Sequence, residues 1–177
     1  MSTVSSVSKH LVDSADDWLA KTQEEIIEPA LPICDPHHHL WDFPTHRYLL
    51  PQLLADTGSG HNVRATVFID CTAMYRADGP EEMRPIGETE FANGVAAMAA
   101  SGIYGETRAC AGIVSLANLQ LGARVEAVLR AHIAAGNGRF RGIRHVTAWD
   151  ASDAIRRSHT NPPPLLMADK NFRAGFA

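Results

Sequence analysis

Four short apolar runs, Leu31 to Cys34, Ala65 to Ile69, Ala109 to Val114 and Phe140 to His145, set the strongest limit on how this chain folds. Each has the length and bounding residues of a buried strand, and each leads into loop or helix-like sequence. The Ala-rich segment Glu88 to Ala100 separates the second run from the third. Between the third and fourth, Ala123 to Ala135 carries Val125, Val128, Leu129 and Ile133 at helical spacing before Gly136-Asn-Gly ends the pattern. This alternation predicts an α/β fold with a parallel sheet and helical crossovers, either an open doubly wound sheet or a closed barrel. No GxGxxG and no phosphate-loop lysine is present.

A complete (β/α)8 barrel takes ~250 residues. With four strand runs in 177 residues, the sequence supplies about the first four βα units of one, so the chain is expected to be truncated or to fold as a homo-oligomer with more of itself. At the other end, Asn161-Pro-Pro-Pro reads as a stiff loop and Lys170 to Ala177 as the opening turns of a further helix. Residues 1–30 read as an N-terminal extension with a helix over 15–28. Ser14 and Asp17 form its capping pattern, Trp18, Leu19, Ile26 and Ile27 its apolar face, and Pro29 and Pro32 stop it. Residues 31–177 form the barrel-like domain.

Composition narrows the partners. Apolar residues make up 45% and charged residues 20% of the chain, enough to bury one core. The formal net charge of -4 leaves no clustered basic surface for nucleic acid or an anionic membrane. With neither a span of ~18 apolar residues nor a basic-then-apolar leader, the expected location is cytoplasmic. Cys34, Cys71 and Cys110 are odd in number and lack CxxC spacing, so they are expected to be small buried thiols.

The chemistry concentrates in Ile33-Cys-Asp-Pro-His-His-His-Leu-Trp-Asp42, just past the first apolar run. In an extended segment alternate side chains share a face, which puts His37 and His39 together and His38 on the opposite side. Two imidazoles on one face suit a divalent cation, most simply zinc, with a position left open for water. Such a cation acidifies the water and polarises a carbonyl oxygen, the two contributions needed to hydrolyse an ester, lactone or amide.

The segment Asp35-Pro-His-His-His-Leu-Trp-Asp42 resembles the first-strand motif of the amidohydrolase superfamily, in its amidohydrolase-related branch, whose pattern is Asp-x-His-x-His-Leu-Trp. Weaker similarities follow in Val67-Phe-Ile-Asp-Cys71, Tyr75-Arg76, Pro85 to Phe91, Ala111 to Val114 and Phe140-Arg-Gly-Ile-Arg-His145, so the likeness runs from about Leu31 to Ala177. It implies the N-terminal portion of a TIM-barrel hydrolase with His37 and His39 as metal ligands. The branch includes lactonases and decarboxylases, and some of its lactonases use the same histidines without a bound metal. It also implies a later histidine and a metal-binding, general-base aspartate from barrel strands beyond the fourth. His159 and Asp169 lie in loop or helix-like sequence and do not fill those roles.

Arg144 and His145, at the end of the fourth run, are the expected catalytic and substrate-contacting pair: a guanidinium offers a fork for the carboxylate of a small anionic substrate, and histidine moves a proton. A structural ion pair is the competing role for Arg144. The expected activity is hydrolysis of a lactone or related carbonyl compound, with decarboxylation, or a catalytically silent fragment that serves as an interaction partner, as the alternatives. After the second run the Asp70 carboxylate is placed to face the site or the Cys71 thiol to pack in the core, neither as a catalytic group, and Tyr75, Arg76, Glu88 and Glu90 are expected to cap or face solvent. His10, His46, His61, His132 and His159 are expected on the surface or in loops, with His46 nearest the mouth of the site.

Overall fold

A computed structural model describes residues 21–44, 46–155 and 161–177. Its framework is a parallel four-stranded sheet made of β1 (Pro32–His38), β4 (Asn62–Ile69), β5 (Arg108–Leu116) and β6 (Phe140–Arg144), in the spatial order β1-β4-β5-β6. Successive strands of the sheet are neighbours throughout, without the reversal that marks a doubly wound sheet. A separate antiparallel pair, β2 (Trp41–Phe43) and β3 (His46–Tyr48), follows β1, and Asp42 and Arg47 form an ion pair across it at 2.7 Å.

Helices connect the strands: α1 (Leu50–Thr57) precedes β4, α2 (Ile86–Ala100) joins β4 to β5, and α3 (Val125–Gly136) joins β5 to β6. A last helix, α4 (Lys170–Phe176), is capped by the Asp169 carboxylate, which accepts from Phe172 N–H at 2.7 Å. At the start of α1, Gln52 Oε1 accepts the Leu49 N–H at 3.0 Å, satisfying a donor outside the helical ladder. Asn137, in the left-handed region, ends α3.

The core lies between the sheet and its helices. Ala92, Val95, Ala96 and Ala99 of α2 are small enough to bring the helix close to Phe68, Ala109 and Ile113. A second cluster joins Ile86, Ala117, Val125, Val128, Leu166 and Phe172. The opposite face of the sheet is less covered: Ala65, Val67, Ala111, Val114 and Leu116 are only half-buried, whereas Thr66 and Phe68 on the helical face are fully buried.

Three expectations are corrected here. Residues 21–28 hold no helix, only an irregular stretch with a turn at 21 and a bend at 27, and Ile27 is 93% exposed; the rest of that expected helix, Ser14 to Leu19 included, lies outside the described residues. Ile133 is exposed while His132 takes the buried place on α3. Of the three free thiols only Cys110 is buried; Cys71 is half-buried and Cys34 exposed. Among the described residues no helix is long and apolar enough to cross a membrane.

Candidate metal centre at the end of the parallel sheet

The His37 N–H bonds the Asp35 carboxylate at 3.0 Å, and the β1–β4 register slips between Asp35 and His38. This bulge sends the neighbouring imidazoles to different places. His38 turns to the helical face, where its Nε2 meets Thr66 Oγ1 at 2.8 Å and its ring stands edge-on to Phe68. His37 and His39 come together, rings nearly perpendicular with centroids 4.9 Å apart and the two Nε2 atoms separated by 3.3 Å.

That separation bears on whether the pair fits a metal. Two nitrogens each about 2.0–2.1 Å from a tetrahedral zinc stand about 3.3 Å apart. The tautomer agrees as well. His39 Nδ1 lies 2.8 Å from Ile69 O, and because a carbonyl only accepts, Nδ1 carries the hydrogen and Nε2 keeps its lone pair. Burial lowers the pKa of His39, and the Ile69 carbonyl opposes that shift while the nearby Arg144 cation reinforces it. Two bare nitrogens at this distance repel each other unless a proton or a cation lies between them. Among the described residues no group of three or more His, Cys, Asp or Glu side chains is gathered as a metal site.

Beside the histidines, Arg144 reaches from the end of β6 to Asp70, just past β4. Its Nε donates to Asp70 Oδ2 at 3.2 Å, and its Nη2 bonds the Asp70 backbone carbonyl. The Arg144 side chain is 32% exposed and that of Asp70 only 1%. The structural ion pair weighed for Arg144 is therefore present, at a place where the cation also bears on His39. Tyr75 O–H donates to Asp70 Oδ1 at 2.7 Å. On the other flank Trp41 lies against His39 at 5.3 Å between centroids, and His46 lies against Trp41 at 5.7 Å.

His145 is not brought to this cluster. Its Nδ1 accepts the Leu119 N–H at 3.1 Å and its ring stands edge-on to Phe172, on the helical side of the sheet. There it lines a cavity of about 750 Å³ with Leu119, Leu129, Ile143 and Phe172. Burial lowers its pKa.

The residues expected to cap or face solvent divide. Arg76 and Glu90 form an exposed ion pair. Half-buried Tyr75 and fully buried Glu88, by contrast, lie with Asp70 behind Arg144, and the Glu88 Oε1 accepts from Cys71 N at 3.0 Å and Ala73 N at 2.8 Å. Position gave a usable signal for two of these: Asp70 ends the second apolar run as the histidines end the first, and Glu88 falls on the same helical stripe as Ala92, Val95 and Ala99. His132 is also corrected from surface to interior. Its Nδ1 meets Thr89 Oγ1 at 2.8 Å, its Nε2 meets Leu116 O at 3.1 Å, and its ring stacks on Phe140. His10 and His159 lie outside the described residues.

Comparison of the chain with protein-family models, with curated proteins and with solved structures returns no match.

Proposed function

We propose that this chain carries the front part of a (β/α)-barrel hydrolase of the amidohydrolase-related kind, which opens a lactone or related carbonyl compound beside His37 and His39. The observation that carries the reading is the 3.3 Å approach of the two Nε2 atoms, with His39 fixed in its tautomer by Ile69 O. The unreversed order of parallel strands, and the location of the histidines where β1 ends, support a barrel whose site stands at the C-terminal ends of its strands.

A divalent ion, best zinc, held by His37 and His39 together with ligands from elsewhere, supplies Lewis-acid polarisation of a carbonyl and a more acidic water. The protein groups do the rest. His39 cannot swing away without losing its bond to Ile69 O. Arg144, anchored through Nε and Nη2 on Asp70, presents a fixed positive charge that orients a small anionic substrate. In the absence of metal His37, whose Nε2 is free to carry a hydrogen, donates to an oxyanion while His39 Nε2 only accepts, which suffices for an activated carbonyl. His145, bonded to the Leu119 backbone, holds the turn after β5.

Plasma mass spectrometry of wild type and a His37→Ala/His39→Ala double variant, with turnover on a panel of lactones and carboxylic acids, tests this. The expected outcome is zinc retained by wild type and lost, with ring opening, in the variant. Ring opening by zinc-free wild type assigns the histidines the hydrogen-bonding role, and CO2 release in place of ring opening assigns a decarboxylase. Turnover that survives the double substitution overturns the site.

A further inference from the structure

Behind Arg144 two carboxyl groups share an enclosed space with one cation. Asp70 and Glu88 are both 0% exposed. Every oxygen of Asp70 is accounted for: Oδ1 accepts from Tyr75 O–H at 2.7 Å and Thr72 N–H at 3.4 Å, Oδ2 accepts from Arg144 Nε at 3.2 Å, and the backbone carbonyl accepts from Arg144 Nη2. Glu88 is served differently. Its Oε1 takes two neutral backbone N–H groups, those of Cys71 and Ala73, and its Oε2 has no conventional donor. The Cys71 N–H that Glu88 accepts belongs to the residue after Asp70, which puts the two carboxyls side by side in the same buried space.

Two carboxylates cannot both stay charged side by side in a dry space where one guanidinium balances only one charge and one carboxyl oxygen has no donor. The pair has to keep one proton. It belongs to Glu88, since Asp70 already has the cation and the phenol to favour its ionised form. The titratable groups facing the pair are Cys71, Tyr75 and Arg144, with His132 of α3 and His39 further off. Only Arg144 among them carries a full charge at neutral pH.

We propose that Glu88 and Asp70 form a carboxylic acid–carboxylate pair holding one proton, so that Glu88 is the positioning residue that fixes Asp70, and through it Arg144, beside His39. Burial and the Asp70 charge push the Glu88 carboxyl up to about 9. Burial acts to raise Asp70 as well, but its bonds from Glu88 and Tyr75 and the Arg144 charge outweigh this and hold it below the ordinary carboxylate range. The same acid holds the loop after β4. Thr72 and Met74 both adopt positive φ, at 63° and 55°, a costly conformation for a β-branched residue, and the Glu88 bonds to Cys71 and Ala73 pin the chain around them. What Arg144 serves rests on the function proposed above; the shared proton does not.

Isotope-edited infrared spectroscopy of the full chain, labelled with 13C at the glutamate side-chain carboxyl, tests the proton. At neutral pH a protonated-carboxyl band is expected in wild type and absent in Glu88→Gln; no such band overturns the pair, whatever the zinc measurements show. The positioning role is read from the Arg144 Nε–H resonance, assigned by its loss in Arg144→Lys. It is expected to stay shifted and protected from exchange in Glu88→Gln, whose amide both accepts and donates, and to lose that protection in Glu88→Ala. An Arg144 signal equally protected in a folded Glu88→Ala variant refutes the positioning role. Should that variant not fold, loss of protection in Glu88→Gln refutes it, and the infrared band decides the proton.

Discussion

Glu88 turns the acid–base state of one buried side chain into a stability that depends on pH. Its carboxyl is raised in the folded protein from an ordinary 4.5 to about 9, so between those values the native state holds a proton that the unfolded chain has released. Stability therefore falls as pH rises through that window. Glu88→Gln has no proton to lose. It is expected to match wild type near the lower end and to be the more stable at pH about 8, by on the order of a few kcal/mol. Asp70 works in the opposite sense, because its depressed pKa contributes stability that is lost as pH falls through the folded value. Urea unfolding of wild type and Glu88→Gln across the window checks the prediction, and parallel profiles contradict it. The His37–His39 pair was legible because its neighbours in sequence are its neighbours in space, whereas Glu88 meets Asp70 only through the fold. His132 was legible in principle: at about 100° per residue it lies about 20° from Val125 around α3, while Ile133 lies about 80° away. Reading the apolar residue as the buried one discarded that angle. The buried imidazole instead satisfies both its nitrogens, on Thr89 and Leu116.

Along α2 two glycines stand in opposite circumstances. A Cβ at Gly87 meets Met74 O at 2.5 Å and Arg76 N at 2.8 Å, so the helix start and the loop after β4 touch through backbone atoms that cannot yield. A Cβ at Gly94 meets nothing within 4 Å. Gly87→Ala is expected to lower stability by about 1–3 kcal/mol, and to speed amide exchange over residues 71–76, because the next residue on the helix is the one that holds this loop. Gly94→Ala is expected to raise stability by about 0.5–1 kcal/mol, through the lower backbone entropy of alanine in the unfolded chain and its better helix propensity. Urea unfolding with hydrogen exchange read by mass spectrometry measures both, and the same sign for the two substitutions contradicts the packing described. At this scale the sequence was informative about strands, because each apolar run is continuous and bounded by breakers. It was less so about residues 21–28, where Ile26 and Ile27 have helical spacing but the described chain offers little for them to pack on: Ile26 is half-buried and rests over Gly60, and Ile27 faces solvent.

At the scale of the molecule, the described residues present a parallel sheet clothed on one side. Parallel sheets are stable with both faces covered, since their strands carry apolar residues in both directions. Here Val67, Val114 and Leu116 remain half-buried on the face away from the helices, and β1 and β6 are edge strands among the described residues. Beyond β6, Met167 and Phe176 are 68% and 77% exposed where they line the cavity that also contains Ile143 and His145. An open parallel edge next to uncovered apolar side chains is a template for adding another strand, and further barrel units would meet that need by closing the sheet on itself. The isolated 177-residue polypeptide is therefore expected to associate with itself. Sedimentation velocity over a hundredfold range of concentration should show a weight-average mass that rises with concentration, and the midpoint of urea unfolding should rise with it, because association stabilises the folded form by mass action. A monodisperse monomer that unfolds in one cooperative, concentration-independent transition contradicts this. Such a result means that the half-buried face is tolerated in water, and it removes the uncovered sheet as a reason to expect a barrel while leaving the His37–His39 geometry to be tested by metal content.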